Sequence, residues 1–486
     1  MSQGTVVREP AARAANYPFL LNGKFVTEGE PVEIRAPWDQ SVVGVTYRAT
    51  PAHAEAAVQA AVRAFEITRK LPAYERQRVL HAISASLTRE RENLARVLAQ
   101  QAGKPIKLAR GEVDRAAFTF AVAAEEATRI YGEMLPLDVS AQTAGRWGIT
   151  RRFPLGPVLA ITPFNFPINL VAHKVAPAIA AGCTMVLKPP PQAPLSALML
   201  ADIVQQAGWP DGALNAMLLS NETAGALAED DRFKLLTFTG SAAVGWQLKS
   251  RAGRKKVVLE LGGNAGVIVH SDADLAYAAE RCVTGAFAYA GQVCISVQRI
   301  FVQRAVAEKF TDFLVEGACR LKAGDPLDES TTVGPMISEK DALRAEQWVR
   351  EAVDAGAILL CGGKRNGSIM EPTVLTATRP NMRVNCQEVF APVVTVEPYD
   401  DFADAIRSVN DTPFGLQTGV FTRDTALLFR AFEELEAGAV IAGDVPTFRV
   451  DTMPYGGVKQ SGLGREGLRW SIHDMTEERL LVMNIR

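Results

Sequence analysis

The chain has 486 residues, 48% of them hydrophobic and 22% charged, the balance of an ordinary globular protein. That length exceeds one compact core and predicts two or three lobes. With 52 basic residues against 54 acidic ones the formal net charge is −2, and Arg254-Lys255-Lys256 is the longest basic run. This argues against a nucleic-acid or membrane-surface role, which requires a basic excess or patch.

Residues 1–16 are polar and Ala-rich, without the apolar stretch of a secretory signal, and are expected to form a mobile tail. Tyr17–Val26 and Val42–Tyr47 have the composition of short strands. From Ala52 to Tyr131, apolar residues recur every three or four positions, which predicts helices. Met134–Phe153 is expected to form a hairpin that interrupts this lobe. From Pro157 the rhythm changes. Strands are predicted at Val158–Thr162, Thr184–Leu187, Leu214–Leu219, Leu235–Thr239 and Val257–Glu260. Helices at Ile168–Ala181, Ser196–Ala207, Glu222–Ala228 and Ala242–Arg251 separate them, the pattern of βαβ units and a parallel sheet. A second alternating region runs from about Ala265 to Val450, with helices at Leu275–Tyr289 and Ala307–Leu321. Its strands are expected near Val267–Val269, Arg299–Gln303, Ala357–Leu360, Val393–Pro398 and Leu416–Phe421. The fold class is therefore α/β with two lobes, joined near Leu261-Gly262-Gly263.

No segment approaches the roughly 18 consecutive apolar residues of a membrane span. The six cysteines form no CxxC pair and are expected to be reduced thiols of a cytoplasmic protein. The five histidines are scattered, without ligand spacing, so no metal is expected.

Five segments bear on chemistry. Gly462-Leu463-Gly464-Arg465-Glu466-Gly467 matches the dinucleotide fingerprint GxGxxG, but only 19 residues follow it, too few for a βαβ unit. A glycine-rich turn is the better reading. Thr162-Pro163-Phe164-Asn165-Phe166-Pro167 lies between a predicted strand and helix, at the strand end where α/β sheets bind ligands. Its stiffened loop suits Asn165 to donate to a developing oxyanion, although a structural turn explains it as well. Phe238-Thr239-Gly240-Ser241 opens a helix whose backbone amides suit a pyrophosphate. Glu260 ends a strand before Leu261-Gly262-Gly263-Asn264 and is a general-base candidate. Cys294 differs from the other five cysteines in its setting, Gly291-Gln292-Val293-Cys294-Ile295-Ser296, which has both glycine and polar flanks.

In chain order PFNFP (163–167), Lys188-Pro189, FTGS (238–241), ELGGN (260–264), GQVC (291–294), EVFAP (388–392), NDTPFGL (410–416) and PYGGVKQSGLGREG (454–467) resemble the aldehyde dehydrogenase superfamily. The likeness covers about residues 17 to 486. It implies oxidation of an aldehyde to an acid with NADP or NAD, through a thioester on Cys294. By the same resemblance Glu260 is the general base, and Asn165 with the Cys294 backbone N–H forms the oxyanion hole. Cofactor contacts are implied for Thr162, Phe164, Lys188, Pro191, Gly240, Ser241, Leu261, Glu388 and Phe390. The substrate pocket is implied at His173, Ile295, Ser296 and Arg449, the last in the loop Asp444–Met453. Such a site is expected to lower the Cys294 thiol pKa.

The fold implied is two Rossmann-like lobes plus a small β oligomerisation element. Residues 17–130 and 153–260 would bind cofactor, 261–455 would carry catalysis, and 131–152 with 470–486 would join a homodimer or homotetramer. The wording is closest to the lactaldehyde and semialdehyde branch, and a small or anionic aldehyde is expected. Three positions depart from the family pattern. Phe164 stands where tryptophan is common, Ala265-Gly266 follow Asn264 where proline is common, and Pro191 stands where NAD-preferring members have glutamate. Two rivals remain: a CoA-acylating dehydrogenase, against which Glu260 argues, and a non-catalytic relative, against which the joint presence of Cys294, Glu260, Asn165 and Glu388 argues.

Overall fold

The structure is a computed structural model that describes residues 15–485. Residues 1–14 of the expected tail lie outside that range. Ala15–Asn16, which had been grouped with the tail, form a short strand parallel to Val42–Arg48. Tyr17–Val26 is a hairpin, not one strand. Asn22 and Gly23 both take positive φ (50° and 75°), so Phe19–Leu21 turns directly onto Lys24–Val26. Asn-Gly is the dipeptide that tolerates such a two-residue turn.

Four helices follow, at Pro51–Thr68, Ala73–Arg89, Arg91–Ala102 and Ile106–Ala127. The last three pack on one another and on later helices, and Pro51–Thr68 packs on a sheet whose five central strands are parallel and nearly continuous in apolar residues. In spatial order these are Lys256–Glu260, Leu235–Thr239, Val158–Ile161, Met185–Lys188 and Leu214–Ala216. From Val158–Ile161 the chain builds outward to one side, then returns to Leu235–Thr239 on the other. The loops leaving these two strands therefore diverge, which opens a crevice at their carboxyl ends. Asn165 and Gly240-Ser241 lie in those two loops. The helix after the Asn165 loop, Asn169–Ala181, is buried along its whole length.

Past Asn264 the chain enters a second sheet of seven strands around Ala265–Val269, Val297–Gln303 and Val393–Tyr399. The crossing allows no side chains. A Cβ on Gly262 would sit 2.4 Å from the Glu388 carboxylate, and one on Gly263 would sit 2.2 Å from the Cys294 carbonyl oxygen. The helix Leu275–Phe287 ends two residues before the expected Tyr289. Tyr289, Ala290 and Gly291 then take φ of 51°, 51° and 68°, a left-handed run that turns the chain toward Cys294.

The C-terminal boundary also differs from expectation. Gly462–Leu463 pairs antiparallel with Lys256–Glu260 as an edge strand of the first sheet. Leu468, Ile472 and Met475, of the helix Leu468–Asp474 and the residue after it, lie in the first hydrophobic core. The chain after 470 therefore begins inside the first lobe, because these apolar side chains cover Asn169–Ala181. Only Thr476–Asn484 belongs to the separate three-stranded sheet, paired along its length with Arg146–Pro154. Leu480, Leu481, Val482, Trp147 and Ile149 are exposed there. Among the described residues no helix is long and apolar enough to cross a membrane.

Candidate active site

A cavity of about 330 Å³ lies between the lobes, where the Asn165 loop, the Gly262-Gly263 crossing and the Cys294 turn converge. Of the expected site residues, Asn165, Phe164, Gly240, Ser241, Glu260, Leu261, Cys294, Ile295, Glu388, Phe390 and Arg449 line it. Thr162, Lys188 and Pro191 lie outside this lining, at the carboxyl ends of the neighbouring strands.

Two expectations for the substrate side are corrected. His173 does not face the cavity. Its ring is buried, with Nε2 2.7 Å from Asp451 Oδ1, because the helix that carries it is enclosed on every side. Nor does Ser296 line the pocket: its hydroxyl donates to the carbonyls of Gly285 and Ala286, both at 3.2 Å, at the end of the preceding helix.

The Cys294 sulfur lies 2.9 Å from the Tyr455 hydroxyl. Burial pushes its thiol up to about 11, with the Tyr455 hydroxyl and Arg449 opposing and the Glu388 and Glu260 carboxyls adding to the rise. The expected lowering is therefore absent from the protein alone. Arg449, the cation that faces this sulfur, is engaged elsewhere: its guanidinium stacks 3.6 Å over the Tyr455 ring and pairs with Glu466 at 3.3 Å. The Asn165 amide nitrogen donates one N–H to the Gln292 carbonyl at 3.1 Å. Its second N–H is left for another acceptor.

Glu260 is buried, and neither carboxylate oxygen has a partner among the described residues. Burial raises its pKa well above the usual carboxylate range. Glu466 adds to the rise, while Arg449 and Lys174 oppose it. Burial works against ionisation of Glu466 too, yet Lys174, His173 and Arg449 outweigh it and hold that carboxyl at about 2. The Lys174 ammonium is 3.1 Å from Glu466. Glu388 accepts from the Gly263 N–H at 2.9 Å, and burial raises it to about 7.

On the cofactor side the donors fit a nicotinamide dinucleotide. The hydroxyls of Thr162 and Thr239 are buried without partners among the described residues. Lys188 is buried at a strand end, and burial depresses its ammonium pKa. Ser241 caps the helix Ala242–Arg251 without using its hydroxyl in the cap. A Cβ on Gly240 would meet the Phe238 ring at 2.6 Å, so the turn stays bare. Phe164 and Phe390 meet edge to face at 5.9 Å. No group of three or more potential metal ligands occurs among the described residues.

Sequence reasoning missed Arg115, Lys174, Tyr455, Asp451 and Glu466. Tyr455 and Glu466 lie inside the 454–467 motif, whose glycines drew attention to turn geometry and away from its buried acid. Arg115, on the helix Ile106–Ala127, lines the cavity and pairs with Asp451 at 2.7 Å. From its spacing alone it is indistinguishable from a solvated arginine.

A model of the aldehyde dehydrogenase family matches residues 25–481, and the chain belongs to that family. It is 44% identical to a 3-sulfolactaldehyde dehydrogenase of Priestia aryabhattai, over 96% of this chain and 98% of that one. An aldehyde dehydrogenase of Physcomitrella patens, solved with the reaction product succinate, superposes with a TM-score of 0.96 at 45% identity, covering 97% of this chain and 99% of that one. A glyceraldehyde-3-phosphate dehydrogenase of Methanocaldococcus jannaschii, solved with NADP, gives 0.91 at 38% identity, with coverage of 94% and 100%. The protein is thus an NAD(P)-dependent aldehyde dehydrogenase.

Because only thiolate reacts with an alkylating agent, the raised thiol has a direct consequence. In cofactor-free enzyme, alkylation of Cys294 by iodoacetamide should rise about tenfold per pH unit from pH 7 to 10. A plateau below pH 8 would show that the thiol is already ionised.

Proposed function

We propose that this enzyme oxidises a small aldehyde bearing an anionic group, with Cys294 as nucleophile, Asn165 as oxyanion donor and Glu260 as general base. The observation that carries the reading is the convergence of Cys294, Asn165 and Glu260 on one interlobe cavity that Arg115 and Arg449 also line. The Cys294 thiol loses its proton to solvent, and attack of the thiolate on the aldehyde carbon places the negative charge on the carbonyl oxygen. The free Asn165 N–H and the Cys294 backbone N–H receive that charge, a contribution typically of about 3–4 kcal/mol per donor. A nicotinamide dinucleotide held by Thr162, Lys188, Ser241 and Glu388 would supply the hydride acceptor that lets the carbonyl re-form. Glu260 then takes a proton from water, whose oxygen attacks the thioester, freeing the acid and the thiol. Burial, with Glu466 adding to it, raises the Glu260 pKa and so strengthens its hold on a proton taken from water. Lys174 and Glu466 lie beside it, and their ion pair sets the local field.

Glu260→Gln is expected to give a burst of NADPH of about one equivalent per site, followed by turnover at least a hundredfold below that of the native chain. Loss of the burst together with turnover would mean that Glu260 is needed before acylation and contradict the base assignment.

The anionic substrate rests on Arg115 and Arg449. The relatives above are named for, or were solved with, small anionic compounds. Each arginine already has a carboxylate partner, but Arg449 Nε is buried without one and Arg115 is part-exposed in the cavity. Arg449→Ala and Arg115→Ala should each raise KM for a carboxylate-bearing aldehyde at least tenfold, and for a neutral aldehyde of equal length less than threefold. Equal effects on both substrates contradict the assignment.

NADP is proposed to serve at least as well as NAD. Pro191 is exposed and carries no acceptor for a ribose hydroxyl, while Lys188 supplies a cation at the adjoining strand end. At an exposed position a like-charge contact at 4 Å amounts to about 1 kcal/mol, against roughly 4 kcal/mol for a partly buried pair. Pro191→Glu should therefore shift kcat/KM toward NAD about fivefold. A native preference for NAD above tenfold, or no shift in the variant, overturns this reading.

The free thiols fit a reducing cytoplasm. The exposed apolar strand Thr476–Asn484 suits pairing with a second copy in a homodimer or homotetramer.

A further inference from the structure

Lys104 is one of the largest fully buried side chains among the described residues, and the chemistry above does not use it. It follows Gly103, which takes φ of 68° just after the helix Arg91–Ala102. Its ammonium pairs with buried Glu112, in the second turn of the helix Ile106–Ala127, and donates to the Asn165 backbone carbonyl at 2.7 Å. The same nitrogen lies 3.8 Å from the centre of the Phe166 ring and 4.4 Å from that of Tyr289. Phe166 belongs to the Asn165 loop, and Tyr289 begins the left-handed turn that leads to Cys294.

We infer that Lys104 and Glu112 are positioning residues that hold the oxyanion loop and the nucleophile turn in one fixed register. The inference rests on the roles proposed for Asn165 and Cys294. On the first side, Glu112 Oε1 accepts the backbone N–H groups of Ile168 (3.0 Å) and Asn169 (3.2 Å), where the Asn165 loop enters its helix. Lys104 takes the carbonyl of Asn165 itself, so the loop is gripped at both ends. On the second side, Tyr289 and Ala290 hold backbone conformations that L-residues adopt at a cost, and these persist only where surroundings over-determine them. The Tyr289 hydroxyl donates to the Ala102 carbonyl at 2.8 Å, and its ring packs on the ammonium two residues farther along that segment. One buried cation thus touches both loops. A cation shared between two ring faces in a desolvated site is held more tightly than one in water. The Asn165–Gln292 hydrogen bond at 3.1 Å then sets the distance between the amide and the sulfur-bearing turn.

The test is the double variant Lys104→Met/Glu112→Gln. It removes both charges together, so neither is left buried alone, and the glutamine oxygen keeps the acceptor for Ile168 and Asn169. Acylation needs Asn165 and Cys294 in register, whereas iodoacetamide needs only Cys294 and NADP needs neither. The expected result is an NADPH burst slowed thirtyfold or more, with NADP Kd and alkylation rate within threefold of native. Tyr289→Leu, which withdraws one ring face, should slow the burst three- to tenfold with the same selectivity. A burst within threefold of native in both variants overturns the proposal. So does a loss of burst, cofactor affinity and alkylation in parallel with a lower Tm, which marks a purely fold-stabilising pair. Cys294→Ala run alongside reports separately on the nucleophile: a burst surviving there would overturn the underlying assignment, whatever Lys104 does.

Discussion

The two lobes meet where Leu261-Gly262-Gly263 passes between the Glu388 carboxylate and the Cys294 carbonyl, and the geometry of the site follows from that contact. Any side chain at Gly263 would push the Cys294 turn away from the strand that ends in Glu260. The proposed base, Glu260, comes from the last residue of a first-lobe strand, and the proposed nucleophile, Cys294, from a turn in the second lobe. Their approach depends on backbone packing against backbone. The same contact lets the Gly263 N–H reach Glu388, so a carboxylate on the cofactor side is tied to the hinge between lobes.

Three buried acids face this cavity, and their neighbours set them apart. Glu466 has Lys174 and Arg449 within ion-pair distance and stays ionised. Glu260 has no such partner among the described residues and feels Glu466 as well as burial, so its proton is held more tightly. Glu388 has one backbone donor, and burial raises it to about 7. Two carboxyls close together but pushed apart in pKa provide one fixed charge and one exchangeable proton. Arg449 takes part in both halves of the site. Its charge offsets Glu466 while its guanidinium covers Tyr455, whose hydroxyl shares a hydrogen bond with the Cys294 sulfur.

The alternation of strands and helices was legible from sequence because parallel strands covered on both faces are apolar runs of characteristic length. Leu235–Thr239 and Ala242–Arg251 were placed to the residue. The turns that carry Cys294, Glu260 and Asn165 to one cavity were legible because glycines and prolines around them mark strand and helix ends. What stayed hidden was long-range pairing between charged side chains. Arg115 and Asp451 are 336 positions apart, Lys174 and Glu466 292, and no local pattern connects them. His173 was misplaced for a related reason. Periodicity shows that a helix has an apolar face, but Asn169–Ala181 is covered on every face, so the histidine turns inward to Asp451. Residues 470–486 were expected in the oligomerisation element as one piece, but proximity along the chain is a poor guide to which core an apolar face joins, and Ile472 and Met475 join the first.

The most direct measurement is the mass of the peptide containing Cys294 after brief mixing of Glu260→Gln enzyme with NADP and a carboxylate-bearing aldehyde, followed by acid quench and digestion. The account predicts that this peptide alone gains the mass of the acyl group, in step with the NADPH formed. NADPH formation with an unmodified Cys294 peptide, or with the acyl group on another residue, would contradict it.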